Sequence, residues 1–236
     1  DQRQCNAIFD PSTAMVNGNP LRCPGGADDG DSCLSDVQIE ALKAMESGVV
    51  FNFPLASGET RYPGSNVWGA DLGIDTVTPV GNTVTFLNLG YTAPVYPDMP
   101  RYAPYLSVLV DQWVKYSVAR DASFNSYNLD PINPAPEYAQ RISDLSVGLN
   151  AGTNISEFEQ GGGKLLLAHG MSDVLVSTRA TEMYYGRLLN QMGEDKVDPF
   201  VRLDEVPGFG QRASLRLAAT LDRSPCTAQL MHVPPY

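Results

Sequence analysis

The sequence predicts an α/β protein in which a long, loop-rich region precedes a strand–helix–strand unit. Two observations predict this. After about Gly152 an apolar run, a helical stripe and a second apolar run follow one another with short connections, the signature of an α/β sheet. From Ser47 to about Pro136, by contrast, Gly, Pro, Asn and Tyr are frequent and periodicity is weak, which predicts long loops with a few short elements. A boundary near Asn150 follows, dividing residues 1–150 from 151–236. The 236 residues, 43% of them hydrophobic, are enough for a sizeable core, and no apolar run approaches the length a bilayer requires. With 27 acidic against 16 basic residues the formal charge is -11, which argues against a nucleic-acid surface because phosphate binding needs clustered Lys and Arg. Neither a nucleic acid nor a membrane is an expected partner.

Along the chain, Cys23 and Cys33 flank a loop of glycines and carboxylates that favours turns and brings the sulfurs within bonding distance, so a local disulfide is expected. The same loop lacks the regular ligand spacing of a calcium loop. Cys5 and Cys226 have no local partner; they pair together, stay free or lack their partners. Ser35-Asp36-Val37-Gln38 has capping-box form and opens a helix over about Asp36 to Glu46. Tyr105, Leu106, Val108, Leu109, Trp113 and Val114 fall at helical offsets and predict one helix with that apolar face. Ser156-Glu157-Phe158-Glu159 is a second capping-box pattern, ended by Gly161-Gly162-Gly163. A buried strand over Lys164 to Ala168 comes next. Ser177 or Thr178 then caps a helix whose stripe is Tyr184, Leu188, Leu189 and Met192, with Gly193 after its last turn. Phe200 to Leu203 forms the next strand and leads into Val206-Pro207-Gly208-Phe209-Gly210.

The chemistry is expected at the strand ends. His169-Gly170-Met171-Ser172-Asp173 follows the first strand directly, which puts Asp173 in a loop at the carboxyl end of a sheet strand, where α/β sheets build their sites. A Ser-His-Asp esterase needs a buried carboxylate there to orient an imidazole, and the His then belongs in a loop after the next strand. A loop aspartate that merely caps the following helix is the plainer reading of the same residue.

Gly162-Gly163-Lys164 through Leu167, His169 through Asp173, the Tyr184-Tyr185 helix and Val206 through Gly210 resemble the tannase and feruloyl esterase family. Cys23-Pro-Gly-Gly-Ala and Cys33-Leu34-Ser35 resemble the start of that family's lid domain, so the likeness covers most of residues 5 to 210. It implies an α/β-hydrolase fold, of which this chain is the lid (about 1–150) and the C-terminal part of the core, divergent after 210. It further implies a secreted or periplasmic serine esterase acting on a small aromatic ester, feruloyl, galloyl or similar, with Asp173 as the triad acid. No cofactor is required; a structural calcium is implied for the full-length protein, with ligands upstream of this chain.

Two departures qualify the likeness. Gln211 stands where the family has its catalytic His, and an amide cannot act as general base. No Gly-x-Ser-x-Gly elbow occurs, and the family places its nucleophilic Ser upstream of the lid, before Asp1, so the missing N-terminal part of the hydrolase domain is an expected partner. The resemblance also implies that Cys5 pairs upstream. His232, the only histidine besides His169, lies in the unmatched tail. A catalytically inactive homologue that only binds an aromatic ligand is the alternative. Tyr91, Tyr96, Tyr102, Tyr105 and Trp113 could line the lid cleft, although packing inside the lid is their expected role. Asn154-Ile155-Ser156 is a glycosylation sequon in a eukaryotic secretory pathway.

Overall fold

A computed structural model of the chain describes residues 2–16, 18–30, 32–68, 70, 87, 90–149, 151–207 and 209. Gln211, Cys226 and His232 lie outside the described residues. Helix α1 (Gln2–Ile8) leads to an antiparallel pair, β1 (Met15–Val16) and β2 (Asn19–Pro20). Cys23 and Cys33 form the expected disulfide, with Cα atoms 5.0 Å apart and Cys23 buried.

Helix α2 (Asp36–Ser47) starts on the capping box that the sequence predicts. The Ser35 N–H donates to Gln38 Oε1 at 2.8 Å, and the Gln38 N–H donates to Ser35 Oγ at 3.3 Å, so two of the helix's orphan donors are satisfied reciprocally. The Arg22 guanidinium grips Asp36 in the first turn at 2.6 Å and 2.8 Å and holds that carboxyl below its usual range. Strands β3 (Val49–Val50) and β4 (Arg61–Tyr62) then pair antiparallel.

Helix α3 (Tyr105–Gln112) continues as a π-helical stretch over Trp113–Ala119 and ends on Arg120 at φ 56°. Its buried face differs from the expected one. Leu106 and Leu109 are exposed, whereas Asp111, Val114, Lys115 and Val118 are buried. The i, i+4 pair Asp111 and Lys115 explains the shift, because the two charges neutralise each other at 3.0 Å and enter the interior together. Ser126 Oγ donates to Asp111 Oδ1 and Lys115 Nζ donates to the Pro97 carbonyl, each at 2.5 Å, which completes the polar cluster.

Helix α4 (Pro136–Ser146), unforeseen from the sequence, begins on Pro136 at its first position, where proline's missing N–H is harmless. Helix α5 (Ser156–Gln160) corrects the second capping box. Ser156 is inside the helix, and Asn154 Oδ1 accepts from its N–H at 3.2 Å and its hydroxyl at 2.7 Å. An Asx turn on Asn154, two residues earlier, thus leads into the helix, and Ser156 is not its cap.

The sheet lies where expected. Strand β5 (Leu165–Gly170), helix α6 (Thr178–Met192), the short helix α7 (Glu194–Val197) and strand β6 (Val201–Val206) form a βαβ unit. The two strands are parallel in a register running from Leu165 opposite Val201 to Gly170 opposite Val206. Leu188, Val197, Phe200 and Val201 form its buried centre, with Leu165, Leu167, Tyr184, Leu189 and Met192 packed around them. The helical stripe read from the sequence is therefore the face that meets the sheet. The opposite face of the pair carries Leu166, Ala168, Arg202 and Asp204, all exposed.

Candidate active site at the exits of β5 and β6

The β5 strand runs two residues further than the apolar pattern indicates, through His169 to Gly170, because the backbone of β6 pairs with it over that whole length. Gly170 is required there by contact: a Cβ on it would sit 2.1 Å from the Phe209 carbonyl oxygen. Without a side chain at 170 the loop after β6 closes onto the turn after β5. Met171 N–H donates to the Val206 carbonyl and Ser172 N–H to the Phe209 carbonyl, both at 3.0 Å.

Asp173 occupies this turn and is only 7% exposed. Its Oδ1 accepts from the backbone N–H groups of Leu175 at 2.9 Å and Val176 at 3.0 Å. Those donors precede α6, whose N-cap is Ser177, so Asp173 fixes the turn and not the helix end. The capping roles expected of Ser177 and Thr178 are also redirected: the Ser177 hydroxyl donates to the Gly64 carbonyl, and Thr178 Oγ1 donates to the Gly170 carbonyl at 2.5 Å.

His169 stands behind the acid, with Nε2 3.6 Å from Asp173 Oδ2. Its Nδ1 lies 2.7 Å from Thr181 Oγ1 and its Nε2 3.1 Å from the Val176 carbonyl. With both ring nitrogens held internally, His169 braces the turn and is poorly placed to relay protons to a substrate.

The underside of the turn is held by a segment more than a hundred residues away. Asn66 Nδ2 donates to the Met171 carbonyl at 3.1 Å, and Asn66 Oδ1 accepts from Arg179 Nε at 2.8 Å. Arg179 Nη1 reaches the Glu46 carbonyl at 2.7 Å, while the Glu46 carboxylate accepts from Trp68 Nε1 at 2.6 Å. Gly64, at φ 73°, passes so close to α2 that a Cβ would lie 2.0 Å from the Glu46 carbonyl oxygen. Asn66, Arg179 and Thr181 were not legible as site residues, because their partners lie far off in sequence and their own neighbourhoods carry no pattern.

The aromatic residues named for the lid divide. Tyr91, Tyr96, Tyr102 and Tyr105 are exposed, contrary to the packing role expected of them, and Trp113 is half-buried. Arg101 lies over the Tyr102 ring at 5.4 Å, and Tyr96 meets Tyr127 at 5.4 Å between ring centres. Among the described residues no group of three or more His, Cys, Asp or Glu could hold a metal ion, and no helix is long and apolar enough to cross a membrane.

A parallel βαβ unit with a buried carboxylate at the strand exit defines a protein of the α/β class. Residues 1–228 match the tannase and feruloyl esterase family, and the chain belongs to it. It is 29% identical over 223 residues to the mono(2-hydroxyethyl) terephthalate hydrolase of Piscinibacter sakaiensis, covering 88% of this chain and 35% of that protein. It is 31% identical over 219 residues to feruloyl esterase B of Aspergillus niger, covering 88% and 36%. An esterase from Aspergillus oryzae of known structure superposes with a TM-score of 0.54 at 21% identity, over 89% of this chain and 37% of that one. The chain thus spans little more than a third of the length of these relatives.

Proposed function

We propose that this chain is the lid and the C-terminal part of an α/β-hydrolase that cleaves carboxylic esters of aromatic acids. Asp173 is its triad acid. The observation that carries this reading is the buried carboxylate at the exit of β5, one oxygen tied to two backbone N–H groups and its turn laced to the exit of β6. An acid so held can orient an imidazole's Nδ1–H and stabilise the imidazolium that forms as a serine attacks the ester. The serine belongs to a segment of the fold that these 236 residues do not supply, and Gln211 occupies the position of the base. The exposed tyrosines of the lid fit a cleft for an aromatic acyl or phenolic group. The Cys23–Cys33 disulfide fits an oxidising compartment and supports a secreted or periplasmic protein. The role of Gln211 favours one alternative, a homologue that binds an aromatic ligand without turning it over.

The test expresses the product of the whole open reading frame with Gln211 and as Gln211→His, and assays methyl ferulate against an aliphatic methyl ester. Hydrolysis that appears with Gln211→His, prefers the ferulate and is lost again on adding Asp173→Asn is the expected result. Absence of hydrolysis in both forms, with ferulate still bound, establishes the binding homologue; activity indifferent to Asp173→Asn refutes the role of the acid.

A further inference from the structure

On the helix-facing side of the sheet lies a second group of ionisable side chains that the ester chemistry does not use. Strand alternation turns Val201, Leu203 and Glu205 of β6 inward, and Glu205 is in register with His169 of β5. The Glu205 side chain is 8% exposed. Arg3 of α1 reaches it from outside, with Nη2 2.5 Å from Glu205 Oε2 and Nη1 3.7 Å from Glu182 Oε1 on α6. Among the described residues, Glu205 Oε1 and Glu182 Oε1 are buried without a hydrogen-bond partner. Ionised carboxylates only accept, so two buried acceptors beside one guanidinium leave an excess negative charge and no donor to satisfy them. A single proton removes both deficits.

We propose that Glu182 and Glu205 hold one proton between them and, with Arg3, form an acid-stabilised latch that joins α1 to α6 and β6. Among the described residues, the other ionisable groups on these elements are engaged elsewhere or face away. On β5, His169 is engaged by Thr181 and the Val176 carbonyl; beyond it Asp173 is tied to its own turn. On α6, Arg179 is bound to Glu46 and Asn66. Asp204 of β6 faces the opposite side of the sheet and is exposed.

Burial, then the hydrogen bond and the charge of Glu182, push Glu205 from 4.5 up to about 7, against the opposing pull of Arg3. A carboxyl raised by folding binds its proton more tightly in the native state than in the unfolded chain. Its contribution is fully present below the unfolded value and is lost as pH rises through the folded one. Between 4.5 and about 7 that amounts to roughly a hundredfold in the folding equilibrium. In thermal melts it reads as a fall of about 5–10 °C for a chain of this size.

The experiment measures melting temperature from about pH 4.5 to about pH 8 for the parent and for Glu205→Gln, a neutral isostere of the protonated acid. The parent is expected to lose stability across the interval, and Glu205→Gln to lose much less. Equal slopes overturn the proposal. Because a variant could fail to fold, the carboxyl carbon of Glu205 is also titrated by NMR in the parent: a midpoint near 7 is expected, and one at the ordinary 4.5 refutes the latch. Arg3→Gln supplies the diagnostic sign. Removal of the opposing cation raises the midpoint if the three groups form one unit, and an unchanged or lowered midpoint overturns the part assigned to Arg3.

Discussion

Replacing Lys115 by Met tests whether the loop-rich region before the βαβ unit is organised around the buried Asp111–Lys115 pair. The exposures of the two side chains are 4% for Asp111 and 9% for Lys115, with 3.0 Å between Nζ and Oδ2. Methionine preserves the length of the stem but removes the charge, leaving Asp111 buried with Ser126 as its remaining named donor and the Pro97 carbonyl without Nζ. Breaking a buried ion pair from one side costs about 3–5 kcal/mol, since the surviving charge keeps its desolvation penalty and loses its partner. For a chain of this length each kcal/mol moves the midpoint by about 2–4 °C, so Lys115→Met should melt at least about 6 °C below the parent. Adding Asp111→Asn removes the stranded charge and keeps an acceptor for Ser126. The double variant should therefore recover most of the loss and give a coupling energy of about 2 kcal/mol or more in a double-mutant cycle. Circular dichroism melts and urea titrations of the four proteins measure this. If Lys115→Met melts within a degree or so of the parent, or the two substitutions add without coupling, the pair does not anchor this region and the reasoning fails.

Three further outcomes follow from contacts around the site. Gly170→Ala drives a methyl group into the Phe209 carbonyl and should destabilise by about 2 kcal/mol or more, measured by urea titration, while the same change at solvent-facing Gly152 should have a far smaller effect. Cys23→Ser opens a crosslink of 10 residues' separation and should cost about 2.5 kcal/mol by chain entropy; the parent under reducing conditions should melt at the same lowered temperature. Arg179→Lys cannot reproduce a fork that reaches Asn66 and the Glu46 carbonyl together, and should lose about 1–2 kcal/mol, seen as faster amide exchange at Met171 and Ser172 if the Asn66 support is loosened.

What was legible in the sequence depended on how local its cause is. The α2 capping box is written in four consecutive residues and its bonds are those expected. The βαβ unit was readable because burial against a sheet demands the runs at Leu165 and Val201 and the stripe at Leu188. The Cys23–Cys33 bridge follows from a short turn-rich loop. The face of α3 was misread because an apolar count treats Asp111 and Lys115 as surface residues, and only the pairing of the two with Ser126 and Pro97 lets them enter the interior. The cap of α5 was displaced because an Asx turn on Asn154 takes the N–H of Ser156, and the Glu159 N–H that a Ser156 cap would have received donates to the Ile155 carbonyl. Asn66 and Arg179 could not have been found, since nothing in Gly64 to Trp68 announces that a strand exit 105 residues later will need a donor.

Among the described residues, Asp173 is held from within its own turn. Its Oδ1 is satisfied by Leu175 and Val176, its turn by Thr178, Ser172 and Met171, and the base of that turn by Asn66. Each of these is a backbone contact or a buried side chain, so the carboxylate's position is set before any imidazole arrives. A preorganised acid costs no rearrangement when the base binds to it, which is what an electrostatic role in the transition state requires. On the proposed reading, Gln211→His therefore tests the base against an acid already held in place. Asp173→Asn in that background removes the charge while its amide oxygen still accepts from Leu175 and Val176, so a loss of activity without a loss of stability separates the carboxylate's chemistry from its part in the fold.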